Sequence, residues 1–241
     1  MSRVTLFCLP HAGGSATIYN KWQKYLDNSI ALYRVELSGR GKRFNQNLYN
    51  SMEEAIEDIY YQIKPLLISP FSFFGHSMGS LLAYELCCKI KQQDGLDPVQ
   101  LFVAGGKAPQ CRGSERKLHL LPDDQFKREL KKLGGTPEEI LGNNELYNFF
   151  SPVLKADYKI IEEYEYPLRN NRLNCGITVL NGTEDNIKAE ELMAWNQLTN
   201  GKCNIIYFKG GHFFINNHLN SIVQLISETI TLECMRKINF V

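Results

Sequence analysis

Gly75-His76-Ser77-Met78-Gly79 is the stretch of this sequence best equipped for chemistry. It is a G-x-S-x-G pentapeptide, set between an apolar run, Phe71–Phe74, and a helical pattern over Ser80–Gln92. A serine at such a strand-to-helix turn projects its hydroxyl from the sheet edge. The residues two away on each side must be small, because strand and helix nearly touch there. A serine hydroxyl is a weak nucleophile until a base, itself oriented by a third group, takes its proton. In the strand–turn–helix setting the acid and then the histidine come later in the chain. Of the five histidines, His76 lies inside the turn, His11 and His119 precede the acid candidates, and His218 falls in the final helical pattern. His212 follows the strand Asn204–Phe208 and Gly210-Gly211, in a loop able to fold back over the serine, and is the expected base. The acid belongs on the loop after Ile177–Leu180, where Asp185 is the first choice and Glu184 the second; Asp157 comes before that strand and is a poor candidate. A tetrahedral intermediate needs two N–H donors. The backbone of Met78 should supply one. Ala12, in the glycine loop Pro10-His11-Ala12-Gly13-Gly14-Ser15, should supply the other. That loop is not a phosphate cradle of the usual sequence, since G-x-x-x-x-G-K-[ST] and G-x-G-x-x-G are both absent.

The elements that must hold these residues alternate. Val4–Cys8, Ala31–Leu37, Phe71–Phe74, Leu101–Ala104, Ile177–Leu180 and Asn204–Phe208 read as strands, mostly as continuous apolar runs of the kind covered on both faces. Helical patterns lie between them. Ser51 and Glu54 form a capping box that opens Met52–Leu67, and Asn216–Lys237 closes the chain. The alternation implies an α/β fold: a mostly parallel sheet with right-handed crossovers, flanked by helices. From Leu121 to about Pro167 the pattern is helical throughout, punctuated by Pro122, Gly134-Gly135 and Gly142-Asn143 into about three helices. This is too long for a crossover and reads as a lid inserted at about 121–167 of a single domain, 1–241. Residues alone thus describe a serine hydrolase with a lid.

Composition agrees. The 241 residues suffice for one domain, 44% are hydrophobic, and 27 Lys and Arg against 26 Asp and Glu demote a nucleic-acid partner. No apolar run approaches the roughly 18 residues of a membrane span, and Met1-Ser2-Arg3-Val4 does not begin a signal peptide. The seven cysteines include no C-x-x-C, which makes zinc improbable and free thiols in a reducing cytoplasm the favoured reading. There is no internal repeat and no low-complexity tract.

In this order the motifs resemble the type II thioesterases, the stand-alone editing hydrolases of nonribosomal peptide and polyketide synthesis. Pro10-His11-Ala12-Gly13-Gly14 is similar to that family's opening P-x-A-G-G, and Glu36-Leu37-Ser38-Gly39-Arg40-Gly41-Lys42-Arg43 to its L-P-G-R-G-x-R element, with Ser38 where proline is usual. Gly75–Gly79 matches its serine motif. Leu118–Leu121, Leu133-Gly134-Gly135-Thr136-Pro137 and Lys155-Ala156-Asp157-Tyr158 resemble its lid sequences. Gly182-Thr183-Glu184-Asp185, with Trp195 ten residues on, is similar to its acid loop, and Gly210-Gly211-His212-Phe213-Phe214 to its histidine motif. The resemblance implies an α/β-hydrolase that removes acyl groups from the phosphopantetheine arm of acyl or peptidyl carrier protein domains, as a cytoplasmic monomer with no cofactor. Two other classes stay open: a small-molecule carboxylesterase or lipase, and a non-catalytic binding protein, though the latter has no need of Ser77, Asp185 and His212 together. Lys127, Arg128, Lys131 and Lys132 could steer an acidic carrier or form an ordinary solvated helix face. Phe126, Leu130, Leu133, Phe149, Phe150 and Leu154 could line an acyl pocket or pack the lid itself. Arg40 and Arg43 could hold their loop over the site or be surface charge.

Overall fold

The apolar runs pair into one parallel sheet. In the computed structural model, which describes residues 3–68, 70–113, 116–169 and 172–239, six strands are present: β1 (Val4–Leu9), β2 (Ile30–Arg34), β3 (Phe71–His76), β4 (Gln100–Ala104), β5 (Gly176–Gly182) and β6 (Cys203–Phe208). Their order is β2-β1-β3-β4-β5-β6, and every neighbouring pair is parallel. The chain moves outward from β1 to β2 and then crosses back to β3, so the strand order reverses between β1 and β3. In open α/β sheets ligands bind at such a switch point, beyond the carboxyl ends of the strands. The Pro10–Ser15 loop and Ser77 follow β1 and β3 at that end.

Both faces of the sheet are covered, which is why the strands read as unbroken apolar runs rather than alternating ones. Successive residues point to opposite faces. Phe7, Leu9, Phe73, Leu101, Val103, Ile177 and Val179 pack toward helices α1 (Met52–Ile63) and α2 (Met78–Asp94). Leu6, Cys8, Phe74, Phe102 and Leu180 pack with Tyr19, Trp22, Ile222 and Ile226 on the other side.

The helix boundaries differ from the sequence expectation for local reasons. Ser51 Oγ accepts from the Glu54 N–H at 3.1 Å, but the Glu54 carboxylate reaches back to the N–H of Asn50 (2.8 Å) rather than to Ser51's own. α1 ends at Ile63, short of the expected Leu67: Pro65 has no N–H for the next helical bond, and Lys64–Leu66 tightens into a 3-10 turn. α2 starts two residues earlier than expected, directly after Ser77, and stops at Gly95 in the left-handed conformation (φ 68°). β2 ends at Arg34, not Leu37, after a last bond from the Val35 N–H to the Cys8 carbonyl (3.0 Å).

Between β4 and β5 the described residues include three α-helices: α3 (Asp123–Leu133), α4 (Glu138–Gly142) and α5 (Asn144–Glu162). Gly134 (φ 77°) ends α3, and the Asn143 side chain caps the N–H groups of Glu145 and Leu146 to start α5. Phe126, Leu130, Tyr147 and Leu154 form a small core inside this segment. Phe126 and Leu130 therefore pack the insertion itself, while Leu133 and Phe149 are exposed, Phe149 stacked on Phe44 with ring centroids 5.3 Å apart. After β5 come α6 (Ala189–Met193) and, beyond β6, a 3-10 turn over Phe214–Asn216. The last helix, α7 (Leu219–Asn239), begins three residues after the expected Asn216.

Candidate active site

Ser77 is the only non-glycine residue with positive φ among the described residues (φ 56°, ψ −113°). Such backbone costs on the order of 1–3 kcal/mol and persists only when its surroundings over-determine it. Here they do. A Cβ on Gly75 would lie 2.0 Å from the Gly79 carbonyl oxygen, and one on Gly79 would lie 2.2 Å from that of Leu9. The Ser77 N–H donates to the Ala104 carbonyl at 2.8 Å. The Ser80 hydroxyl bridges the Gly75 and Ala104 carbonyls (2.9 and 3.0 Å) and lies 3.1 Å from the Ala104 N–H. Strand β4 thereby clamps the turn from below.

The loops after β5 and β6 are stitched together. The Thr183 N–H donates to the Phe208 carbonyl (2.8 Å), and the Glu184 N–H to that of Gly210 (2.9 Å). A Cβ on Gly182 would meet the carbonyl oxygens of Gly210 and Gly211, both at 2.4 Å. This contact brings Asp185 to His212, whose Nδ1 lies 2.8 Å from Asp185 Oδ2. His212 Nε2 lies 2.9 Å from Ser77 Oγ. A carboxylate only accepts, so Nδ1 carries the proton and the Nε2 lone pair faces the hydroxyl. Ser77, His212 and Asp185 thus form one hydrogen-bonded line. Glu184, the second choice for the acid, is exposed and joins the loop through its backbone. His11 and His119 stand apart from the line: His11 rests edge-on against Phe213 with centroids 5.0 Å apart, and His119 pairs with Glu162 (2.5 Å). His218 bonds the Lys209 carbonyl at 2.8 Å.

Across from the serine, Gly13 takes a left-handed turn (φ 76°) in the loop after β1. The Gly13 N–H donates to Asp157 Oδ2 at 2.7 Å and the Gly14 N–H to the His11 carbonyl at 2.9 Å. The Ala12 N–H has no acceptor among the described residues. Met78 opens α2, where the first N–H groups have no intrahelical acceptor.

Asp157, set aside as a triad acid, has a different partner that its sequence position does not reveal. Arg40 grips it with two bonds (Nη1–Oδ2 2.6 Å, Nη2–Oδ1 2.7 Å) and also donates to the Gly14 carbonyl (3.2 Å). Both side chains are buried, so Arg40 is not surface charge but the tie between α5 and the Gly13-Gly14 loop. One signal was present in the sequence: Asp157 stands three residues from both Leu154 and Ile160, on the buried face of α5. Leu154 covers Gly13, where a Cβ would lie 2.4 Å from its Cδ2, and Gly135 covers Phe213, where a Cβ would lie 2.0 Å from Cζ. Removing one partner of a buried ion pair leaves an uncompensated charge and typically costs about 3–5 kcal/mol. Asp157→Asn is expected to lose stability toward that range in urea unfolding. A loss below about 1 kcal/mol, the scale of an exposed pair, would show that solvent reaches Arg40.

Arg43 binds Asp58 through both guanidinium nitrogens (2.6 and 2.7 Å). Ser38, where proline is usual, donates through its N–H to the Tyr49 hydroxyl (3.1 Å) and through its own hydroxyl to the Asn47 carbonyl (2.6 Å). The first is a bond proline could not make, and the pair replaces ring rigidity with hydrogen bonds. On α3 the cations are largely matched. Lys131 pairs with Glu138 (2.7 Å), Lys132 with Glu129 (3.1 Å), and Lys127 sits 4.1 Å from the centroid of the Tyr147 ring. Residues 123–139 carry four cations and five carboxylates, so this segment has no net positive charge.

A parallel sheet with a strained serine turn after β3, and acid and histidine loops after β5 and β6, defines an α/β-hydrolase. The chain belongs to the thioesterase family, whose thioesterase-domain model matches residues 4–230. It is therefore an enzyme of thioester hydrolysis. It is similar to the gramicidin S biosynthesis protein GrsT of Aneurinibacillus migulanus, 33% identical over 238 residues that cover 98% of this chain and 93% of that protein. Among solved structures it resembles ClbQ from the colibactin NRPS/PKS pathway (TM-score 0.92, 37% identity, 97% of this chain and 99% of that one). It also resembles the type II thioesterase BorB from the borrelidin biosynthetic cluster (TM-score 0.87, 31% identity, 95% and 93%). The resemblance to type II thioesterases read from the motifs thus extends through the whole fold. Among the described residues no helix is long and apolar enough to cross a membrane.

Proposed function

We propose that this chain is an editing thioesterase that hydrolyses acyl groups from phosphopantetheine thioesters on carrier protein domains. The observation that carries the reading is the continuous line from Ser77 Oγ through His212 to Asp185, with bonds of 2.9 and 2.8 Å. His212 Nε2 takes the Ser77 proton as Oγ attacks the thioester carbonyl. The N–H groups of Met78 and Ala12 hold the oxyanion. When the tetrahedral intermediate collapses, the C–S bond breaks and the thiol leaves, an easy departure because a thiol pKa is only about 8.5. A water, deprotonated by His212, then attacks the acyl-serine; the acid is released and the proton returns to Ser77. Asp185 fixes the tautomer of His212 and stabilises its cationic form. No step calls for a cofactor. The segment α3–α5 acts as the lid over this chemistry, a role supported by its contacts with Gly13 and Phe213.

Contacts remote from the reacting carbonyl can lower the barrier at it, and a carrier domain with its arm offers more of them than a truncated thiol does. The same acyl group is therefore expected to show a higher kcat/KM on a holo-carrier than on N-acetylcysteamine, measured as paired progress curves. Equal specificity constants would leave a generic thioesterase or esterase. Because Lys131 and Lys132 are paired with carboxylates, the preference is expected to change little with salt. A preference that collapses between low and physiological ionic strength would instead point to charge steering. Absence of labelling by a fluorophosphonate would favour a non-catalytic binder.

A further inference from the structure

The serine turn demands small residues at 75 and 79 and a hydroxyl at 77, but nothing in its sterics requires a histidine at 76. His76 is fully buried, and its Nε2 lies 2.9 Å from the carbonyl oxygen of His212. Facing a carbonyl, Nε2 carries the proton and donates. Nδ1 is then a bare acceptor, enclosed and without a partner among the described residues. Around the His76 ring stand His11, Phe213 and His212, with ring centroids 5.4, 5.2 and 5.3 Å from its own. Burial first, then His11 and His212, push the His76 pKa well below the usual histidine value, so the ring stays neutral and keeps its donor. An enclosed acceptor without a partner costs on the order of 1–3 kcal/mol. An apolar side chain would avoid that cost. The histidine is thus a poor choice for packing, and its one hydrogen bond goes to the backbone of His212.

That backbone needs an anchor. His212 follows Gly210 (φ 122°) and Gly211, two residues with wide conformational freedom. The neighbouring bonds hold the carbonyls of Gly210 and Gly211, taken by the N–H groups of Glu184 (2.9 Å) and Phe214 (3.1 Å). Only the His76 ring holds that of His212 among the described residues. We propose that His76 is a positioning residue whose Nε2–H anchors the His212 carbonyl, fixing the main-chain seat from which the His212 ring spans Asp185 and Ser77. This rests on the reading of His212 as the base.

The test compares His76→Gln, whose amide N–H can reach the same carbonyl, with His76→Leu and His76→Met, which fill the space without a donor. Each is assayed for kcat and KM on one acyl thioester and for Tm. A misplacement of about 1 Å can cost about 10²-fold in rate. The apolar variants are therefore expected to lose about 10- to 100-fold in kcat with KM within about twofold, and the Gln variant to recover most of the loss. The Tm order should be the reverse, with the apolar variants equal to or above Gln, which a purely structural role would not produce. Equal kcat in the Gln and apolar variants, or a higher kcat in the apolar ones, overturns the anchor. His212→Ala separates the two readings. If it is inactive while His76→Leu is unimpaired, the anchor alone fails; if His212→Ala keeps its activity, the base assignment fails and the anchor with it.

Discussion

Ser77→Ala is expected to lower kcat by about 10⁴-fold or more while leaving the fold intact, because residues that act as one unit fail together when any is removed. The Ser77 hydroxyl is engaged by His212 Nε2 at 2.9 Å, so its removal takes the nucleophile and little else. The turn does not depend on the hydroxyl. Its strain is held by the bond from the Ser77 N–H to Ala104, by Ser80 and by the Gly75–Gly79 contact, none of which alanine disturbs. Thermal unfolding should therefore shift only slightly, and labelling by a fluorophosphonate should vanish. Retention of a tenth of wild-type turnover would remove Ser77 from the nucleophile's role.

Asp185→Asn is expected to be nearly as damaging, about 10⁴-fold in kcat, the loss seen when a triad acid becomes an amide. Asp185 Oδ2 accepts from His212 Nδ1–H at 2.8 Å, which leaves the Nε2 lone pair for the serine proton. An asparagine amide can donate to Nδ1, which moves the ring proton to Nε2, where it opposes proton transfer from Ser77. Glu184→Gln should be mild, within about threefold, since the Glu184 carboxylate is exposed and exposed charges contribute little. The two variants differ by one position in sequence and should differ by orders of magnitude in rate. The reverse order of damage would assign the acid to Glu184.

Much of this was legible in the sequence, because the features concerned are local. The pentapeptide Gly75–Gly79 encodes its own sterics, and the same small residues that define the motif are the ones where strand and helix meet. The strands announced themselves as apolar runs because both faces of the sheet are covered. Asp185 and His212 could be chosen because each occupies the loop that follows a strand, and a parallel sheet gathers all such loops at one end. Element ends were less legible: β2 stops at Arg34 although Val35 and Leu37 are buried, since the chain leaves the ladder while still inside the core.

What only the tertiary structure decided were pairings between residues far apart in the chain. Arg40 and Asp157 are 117 residues apart; Arg40 alone read equally well as surface charge, and Asp157 only as a poor candidate for the triad acid. His76 and the His212 carbonyl are separated by 136 residues, and no spacing rule joins them. The cations of α3 could equally have steered an acidic partner or formed a solvated helix face; the structure sets Glu129 and Glu138 beside Lys132 and Lys131. A sequence states which groups a chain carries and which local turns they force. Whether a charge is matched, or a ring nitrogen faces a carbonyl, depends on which distant backbone the fold brings to it. Burial then sets the consequence, because the same pair contributes little in water and several kcal/mol when its partner is removed inside the protein.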